Sequence, residues 1–174
     1  MQLSERFVDS MRALLGDGAS QVLNAIAEEP IVSVRLNPSK CGVMCPSLDR
    51  VPWASDAYYL PERVPFTFDP LFHAGCYYVQ EASSMFLQRV VDQYVNRPVT
   101  ALDLCAAPGG KSTHLLSSLP AGSLLVSNEL IPSRASVLVE NIVKWGYPNA
   151  VVTNNAPSDF SPFEGLFDLK KKAE

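Results

Sequence analysis

Apolar positions recur every three to four residues near the start of the chain. Ser4 is an N-cap by type, and Phe7, Met11, Leu14 and Leu15 follow at helical spacing until Gly16, Asp17 and Gly18 end the pattern. Val22, Leu23 and Ile26 share one face of a second predicted helix over 19–28, stopped by Pro30. The period then shortens to two. Val32, Val34 and Leu36 alternate with Ser33 and Arg35, which predicts a strand over 31–36 with Arg35 and Asn37 on a common face. Residues 46–72 follow no period. Their prolines and rings, among them Trp53, Tyr58, Tyr59, Phe66, Phe68 and Phe72, predict an irregular connector packed by its aromatics, with base stacking as the other use of such rings. Over 80–95, Met85, Phe86, Leu87, Val90, Val91 and Tyr94 form a wide helical face, with Gln80, Glu81 and Ser83 at its first turn.

Asn96, Arg97 and Pro98 mark a change of pattern, and the chain is expected to divide there into an α+β region, 1–97, and a second domain, 98–174. The apolar run Val99, Ala101, Leu102, Leu104 predicts a buried strand that breaks at Pro108, Gly109 and Gly110. Lys111, Ser112 and Thr113 open a helix that continues through Leu115, Leu116 and Leu119. A second strand over 123–127 leads into Asn128 and Glu129. Pro132 suits a first helical turn, and Ile131, Ala135, Leu138, Ile142 and Trp145 keep the helical period until Gly146. A third strand covers 150–153. Strands alternating with helices indicate an α/β class with a parallel doubly wound sheet.

The glycine loop carries the candidate chemistry. Glycines let a backbone turn tightly and approach a ligand, and the free N–H groups of the following helix favour negative charge. A phosphate-cradling P-loop would need a glycine where Cys105 stands, and a dinucleotide fingerprint needs three spaced glycines where this loop has two adjacent ones. A nucleoside that also bears a carboxylate fits better. Glu129, about 20 residues after the turn, is placed to accept two ribose hydroxyls.

Composition narrows this picture only slightly. The 174 residues are 47% hydrophobic and 18% charged, as in an ordinary globular protein, and the formal charge of −4 argues against a broad basic nucleic-acid face. The first residues lack a secretory pattern and no apolar run is long enough for a membrane span, so the cytoplasm is the expected compartment. Four cysteines there read as reduced thiols. Cys41, Cys45, His73 and Cys76 raise a metal reading, but the second pair departs from zinc spacing; buried thiols are the simpler account, and no metal is expected.

The stretch Asp103–Leu104–Cys105–Ala106–Ala107–Pro108–Gly109–Gly110–Lys111–Ser112, with Asn128 and Glu129 after it, resembles the Sun (Fmu) family of S-adenosylmethionine-dependent RNA cytosine-5 methyltransferases. The likeness extends upstream to Arg35-Leu36-Asn37, to residues 68–75 and to 77–85, and downstream to Thr153-Asn154-Asn155 and Phe167-Asp168. It implies a truncated, Rossmann-like class I methyltransferase domain after the α+β region. It implies S-adenosylmethionine held by Cys105, Ala106, Ala107, Pro108, Gly109, Gly110, Lys111 and Glu129, with Ala156 where an acidic residue commonly meets the adenine. It also implies an RNA partner, ribosomal RNA first and transfer RNA second, with Arg35 and Asn37 as contacts; a carboxylate partner for Arg35 and a turn before Pro38 are the structural alternative. Gln80, Glu81 and Ser83 are either a helix cap or one wall of the cofactor pocket. In that family two cysteines, in Asp-Ala-Pro-Cys and Thr-Cys segments, activate the base and help release the product. Here Leu169, Lys170, Lys171, Lys172, Ala173 and Glu174 follow Asp168 instead, so no catalytic residue is assigned and the chain is expected to be inactive alone. The lysine run is expected to be a solvated terminus in place of the fourth strand, leaving the first strand as a sheet edge that promotes self-association. The alternative function is a non-catalytic RNA-binding or interaction module that keeps the fold.

Overall fold

Ser4 starts the first helix as its residue type predicts, its Oγ accepting the Phe7 N–H at 3.3 Å. That helix, α1 (Glu5–Leu15), ends at Gly16, whose φ of 55° suits a residue without a Cβ. A short 3-10 turn, Gly16–Gly18, leads into α2 (Ala19–Ala27). The computed structural model describes residues 3–41 and 48–171. The chain falls into two compact units, Met1–Ile31 and Val32–Glu174. No described helix is long and apolar enough to cross a membrane.

The second unit begins with an antiparallel sheet of β1 (Val32–Leu36), β2 (Ala57–Leu60) and β3 (Tyr77–Val79), in the order β2-β1-β3. The 46–72 connector therefore contains a strand, and it also carries a 3-10 turn, Phe66–Phe68, and the short helix α3 (Pro70–His73), capped by Asp69. Its rings pack on Tyr77, Phe66 edge-on and Phe72 tilted. The helix expected over 80–95 is shorter. Gln80 is tied to β1, its N–H donating to Ser33 O and its C=O accepting Ser33 Oγ, so its backbone groups are spent on the sheet. A 3-10 turn, Ser83–Phe86, follows, and α4 (Leu87–Tyr94) is the helix proper.

The parallel sheet holds β4 (Thr100–Asp103), β5 (Leu124–Asn128), β6 (Ala150–Thr153) and β7 (Leu169–Lys171), in the order β6-β5-β4-β7. Helices α5 (Gly110–Ser118) and α6 (Pro132–Trp145) connect the first three strands. Leu115, Leu125, Leu138, Ile142 and Trp145 form the centre of its core. In chain order this is third-second-first-fourth, the doubly wound arrangement, and the order reverses between β4 and β7.

Two expectations about the end of the chain are corrected. The lysines do not all lie in solvent: Leu169, Lys170 and Lys171 pair in parallel with Ala101, Leu102 and Asp103. The cause is Asp103, a fully buried carboxylate that needs a counter-charge; Lys171 Nζ donates to its Oδ1 at 2.7 Å. Consequently β4 is not an edge, since β5 and β7 flank it, and the stated ground for self-association is absent. Contacts also cross the 97/98 position within the unit that begins at Val32. Arg35 and Asn37, on and after β1, bond directly to α5 and to the end of α6.

Candidate nucleoside-binding site

The loop after β4 turns on Gly109. Its φ of 113° is left-handed, and a Cβ there would lie 3.3 Å from Asn141 Cβ and Leu138 Cδ1. The Gly109 N–H donates to Ala106 O at 2.8 Å, and Asn141 Nδ2 holds Pro108 O at 2.7 Å. α5 begins at once, so its first-turn amides face the loop. Ser112 Oγ donates to the second oxygen of Asp103 at 2.8 Å, which fixes that turn to the end of β4. Cys105, Pro108 and Lys111 are exposed, Ala106 and Gly109 are buried, and Ala107 and Gly110 lie between.

Glu129 follows β5 and is 4% exposed. One carboxylate oxygen accepts the Ile131 N–H at 3.1 Å, and the other lies 3.7 Å from Arg134 Nη1. Arg134 also donates to Ala107 O, linking the carboxylate to the glycine loop. Asn128 joins three strand ends: Nδ2 donates to Leu104 O and Asn155 O, while Oδ1 accepts from Thr153 Oγ1 and the Asn155 N–H. Ala156 stands beyond β6 beside the same edge. Its N–H donates to Asp159 Oδ2 at 3.1 Å. Asp159 thereby caps the 3-10 turn Pro157–Leu166.

On the other side of the loop, at the reversal of strand order, a cleft of about 250 Å³ opens. Tyr78, Gln80, Glu81, Cys105, Lys111 and Lys171 line it. Of Gln80, Glu81 and Ser83, the first two stand at this wall; Ser83 does not line it, and its Oγ instead donates to Glu81 Oε1 at 2.7 Å. No helix begins at Gln80 for it to cap.

Arg35 and Asn37 do not face a surface. Arg35 is 2% exposed; it donates to Gln80 Oε1 at 2.9 Å, Thr113 Oγ1 at 2.7 Å and Gly110 O at 3.2 Å, and lies 4.6 Å over the Trp145 ring. Burial lowers its pKa to about 9. Asn37 is fully buried; Nδ2 donates to Gly75 O and Trp145 O, and Oδ1 accepts from the Ser39 N–H and Oγ. RNA contact by either is corrected to an internal role. Arg35 grips the first turn of α5 without a carboxylate, and Asn37 forms the turn at Pro38. Asp103, Arg134 and Asp159 are the residues whose roles local spacing does not give. A charge inside an apolar run was the available signal for Asp103.

Cys45 of the metal reading lies outside the described residues. Among the described residues no group of three His, Cys, Asp or Glu is placed to hold a metal ion. Burial and a hydrogen bond with Cys76 push the Cys41 thiol up.

His114 of α5 gives a pH prediction. It is 1% exposed, and burial, then the charge of Arg35, lower its pKa to about 3. Below about pH 6.5 the unfolded chain takes up a proton that the folded chain refuses, so this contribution is complete above that pH and is lost as acid is added. At pH 5 the loss is about 2 kcal/mol. In urea unfolding at pH 7.5 and pH 5, His114→Gln is expected to lose about 2 kcal/mol less stability on acidification than the parent chain. An equal loss in both would contradict it.

A parallel sheet in third-second-first-fourth order, with a glycine loop after its first strand and a carboxylate after its second, defines a Rossmann-like methyltransferase fold. Residues 3–82 match the N-terminal domain of 16S rRNA methyltransferase RsmF, and residues 94–169 match 16S rRNA methyltransferase RsmB/F. The chain is similar to ribosomal RNA small subunit methyltransferase F of Pectobacterium atrosepticum, 31% identical over 169 residues, covering 87% of this chain and 34% of the relative. The Vibrio cholerae protein of the same name is also 31% identical, with 88% and 36% covered. The chain thus spans about a third of these relatives. A methyltransferase homolog from Pyrococcus horikoshii shares the fold at TM-score 0.78 and 23% identity, over 97% of this chain and 58% of that one. NSun6 from the same organism, solved with SFG, does so at 0.77 and 15%, over 98% and 70%. The chain belongs to the Sun (Fmu) family of ribosomal RNA methyltransferases and matches their N-terminal part.

Proposed function

We propose that this chain carries the cofactor-binding half of an S-adenosylmethionine-dependent RNA cytosine-5 methyltransferase, acting in the cytoplasm on ribosomal RNA, with transfer RNA the second candidate. The observation that carries the reading is the pairing of the glycine loop with Glu129 across adjacent strand ends. The residues suit the cofactor. Gly110 leaves a cradle in which a Cβ would crowd the Tyr78 ring at 3.3 Å. Glu129 accepts the ribose hydroxyls, and the first-turn amides of α5 face the amino-acid carboxylate. Lys111 adds a cation beside that turn, and Asp159 lies by the expected adenine position. Bound there, the cofactor supplies an electrophilic methyl group.

The chain's own side chains bind and orient, but none is assigned to activate the base. That step needs a thiolate that adds to the ring and makes the neighbouring carbon nucleophilic. The chain's cysteines are Cys41, Cys45, Cys76 and Cys105, and Cys105 belongs to the cofactor loop. The purified chain, given ribosomal RNA and methyl-labelled S-adenosylmethionine, is therefore expected to form no 5-methylcytosine detectable after nuclease digestion. Formation of that product would contradict the assignment.

A further inference from the structure

Lys171 holds the cofactor loop through acceptors that a ligand amine can also use. Its backbone is fixed in β7, where it pairs with Asp103 and its C=O accepts the Leu104 N–H at 3.0 Å. The side chain is 22% exposed and lines the cleft beside the loop. Its Nζ donates to Asp103 Oδ1 at 2.7 Å and to Cys105 O at 3.0 Å. Asp103 is fully buried, and Lys171 is its one ion-pair partner among the described residues. A buried carboxylate keeps its charge only beside a counter-charge, so this spot needs a cation, whichever molecule brings it.

Other carbonyls of the loop are already engaged. Ala106 O accepts the Gly109 N–H, Ala107 O accepts from Arg134, Pro108 O from Asn141 and Gly110 O from Arg35. Those donors shape the turn, and displacing one would open it. Cys105 O differs, because its donor is a primary ammonium at the end of a flexible side chain on the cleft wall. The amino-acid end of S-adenosylmethionine carries the same group, next to the carboxylate assigned to the first turn of α5. An incoming ammonium can therefore take over both bonds without leaving Asp103 unpaired. Glu81, on the same cleft, is the competing acceptor, with one oxygen already accepting Ser83 Oγ.

We propose that Lys171 is an internal plug of the cofactor cleft: its ammonium holds the Cys105 carbonyl and the Asp103 carboxylate that the cofactor's amino group needs, so the two compete. The proposal rests on the reading of the chain as the cofactor half of an S-adenosylmethionine-dependent methyltransferase. In this chain the amino group therefore adds little to affinity, since each bond it gains is one that Lys171 gives up.

Titration with two ligands isolates the amine: S-adenosylhomocysteine, and the analogue that keeps its thioether and carboxylate but lacks the α-amino group. The parent chain is expected to bind the two within about threefold of each other. In Lys171→Met, affinity for S-adenosylhomocysteine should rise about tenfold or more, the worth of a hydrogen bond to a charged group, and the deaminated analogue should show no such gain. This variant leaves Asp103 without its cation, so its melting temperature should fall, and S-adenosylhomocysteine should restore it further than the analogue does. Asp103→Asn combined with Lys171→Met removes both charges, which keeps the fold testable; it frees Cys105 O and should show the same amine dependence at smaller size. Unchanged affinity for S-adenosylhomocysteine in both variants overturns the plug. Weaker binding by Lys171→Met overturns it by giving Lys171 the ligand carboxylate. A tenfold amine contribution already present in the parent chain overturns it by giving the amine to Glu81. Each of these three leaves the cofactor reading standing, whereas no binding of S-adenosylhomocysteine by any of the three chains overturns both.

Discussion

Truncation of Trp145 to alanine is expected to cost the second unit about 4–5 kcal/mol. Trp145 is almost fully buried at the end of α6, among Leu115, Leu138 and Ile142. Removing a buried indole leaves a cavity that the close-packed surroundings fill only in part, which costs about 3–5 kcal/mol. Two further losses add to it. The Trp145 Nε1–H donates to Ser117 Oγ at 3.0 Å, and the ring is the face on which Arg35 lies at 4.6 Å. A buried cation that makes no ion pair among the described residues depends on such a face, so the indole supports the charge as well as the core. Set against a typical domain stability of about 5–15 kcal/mol, the loss is most of the margin. Trp145→Phe keeps a ring under the guanidinium and should lose about half as much. Urea unfolding midpoints of the three chains measure this. A Trp145→Ala loss below about 2 kcal/mol would mean that the ring does not carry Arg35.

The parts of the fold that could be read from residues are those with two agreeing signals. α6 has Pro132 at its start, Gly146 at its end and an unbroken apolar stripe between, ending in Trp145. The glycine loop is legible because its sharp turn puts a residue at a φ that favours Gly109. The misread parts are those where a polar residue serves the interior. Arg35 alternates with Val34 and Leu36, and alternation assigns it to solvent, yet both faces of β1 are covered and the arginine finds oxygens on Gln80, Gly110 and Thr113. Lys171 sits in a run of lysines that composition sends to water, but Asp103 needs a counter-charge and draws it into a strand. Gln80 precedes a helical stripe and looks like its first turn; Ser33 takes its backbone instead. After Ala156 the turn at Pro157 brings Asp159 back onto the Ala156 N–H as a cap. In each case the partner is distant in the chain or the result of a turn, so local spacing does not contain it.

The second large effect is Glu129→Ala on cofactor binding. Two ribose hydroxyls donating to one carboxylate make charge-assisted hydrogen bonds, each worth about 1.5–3 kcal/mol, and a 4% exposed carboxylate meets little competing water. Their removal should weaken binding at least about a hundredfold. The substitution also frees the Ile131 N–H and Arg134, a local cost at the start of α6 that near-ultraviolet dichroism would show separately. Calorimetric titration of the parent chain and Glu129→Ala with S-adenosylmethionine decides whether the glycine loop and Glu129 hold the cofactor. Saturable one-site binding by the parent chain is expected, and its loss in the folded variant. No binding by the parent chain, or equal binding by Glu129→Ala, would contradict the assignment of the glycine loop and Glu129 as a cofactor site.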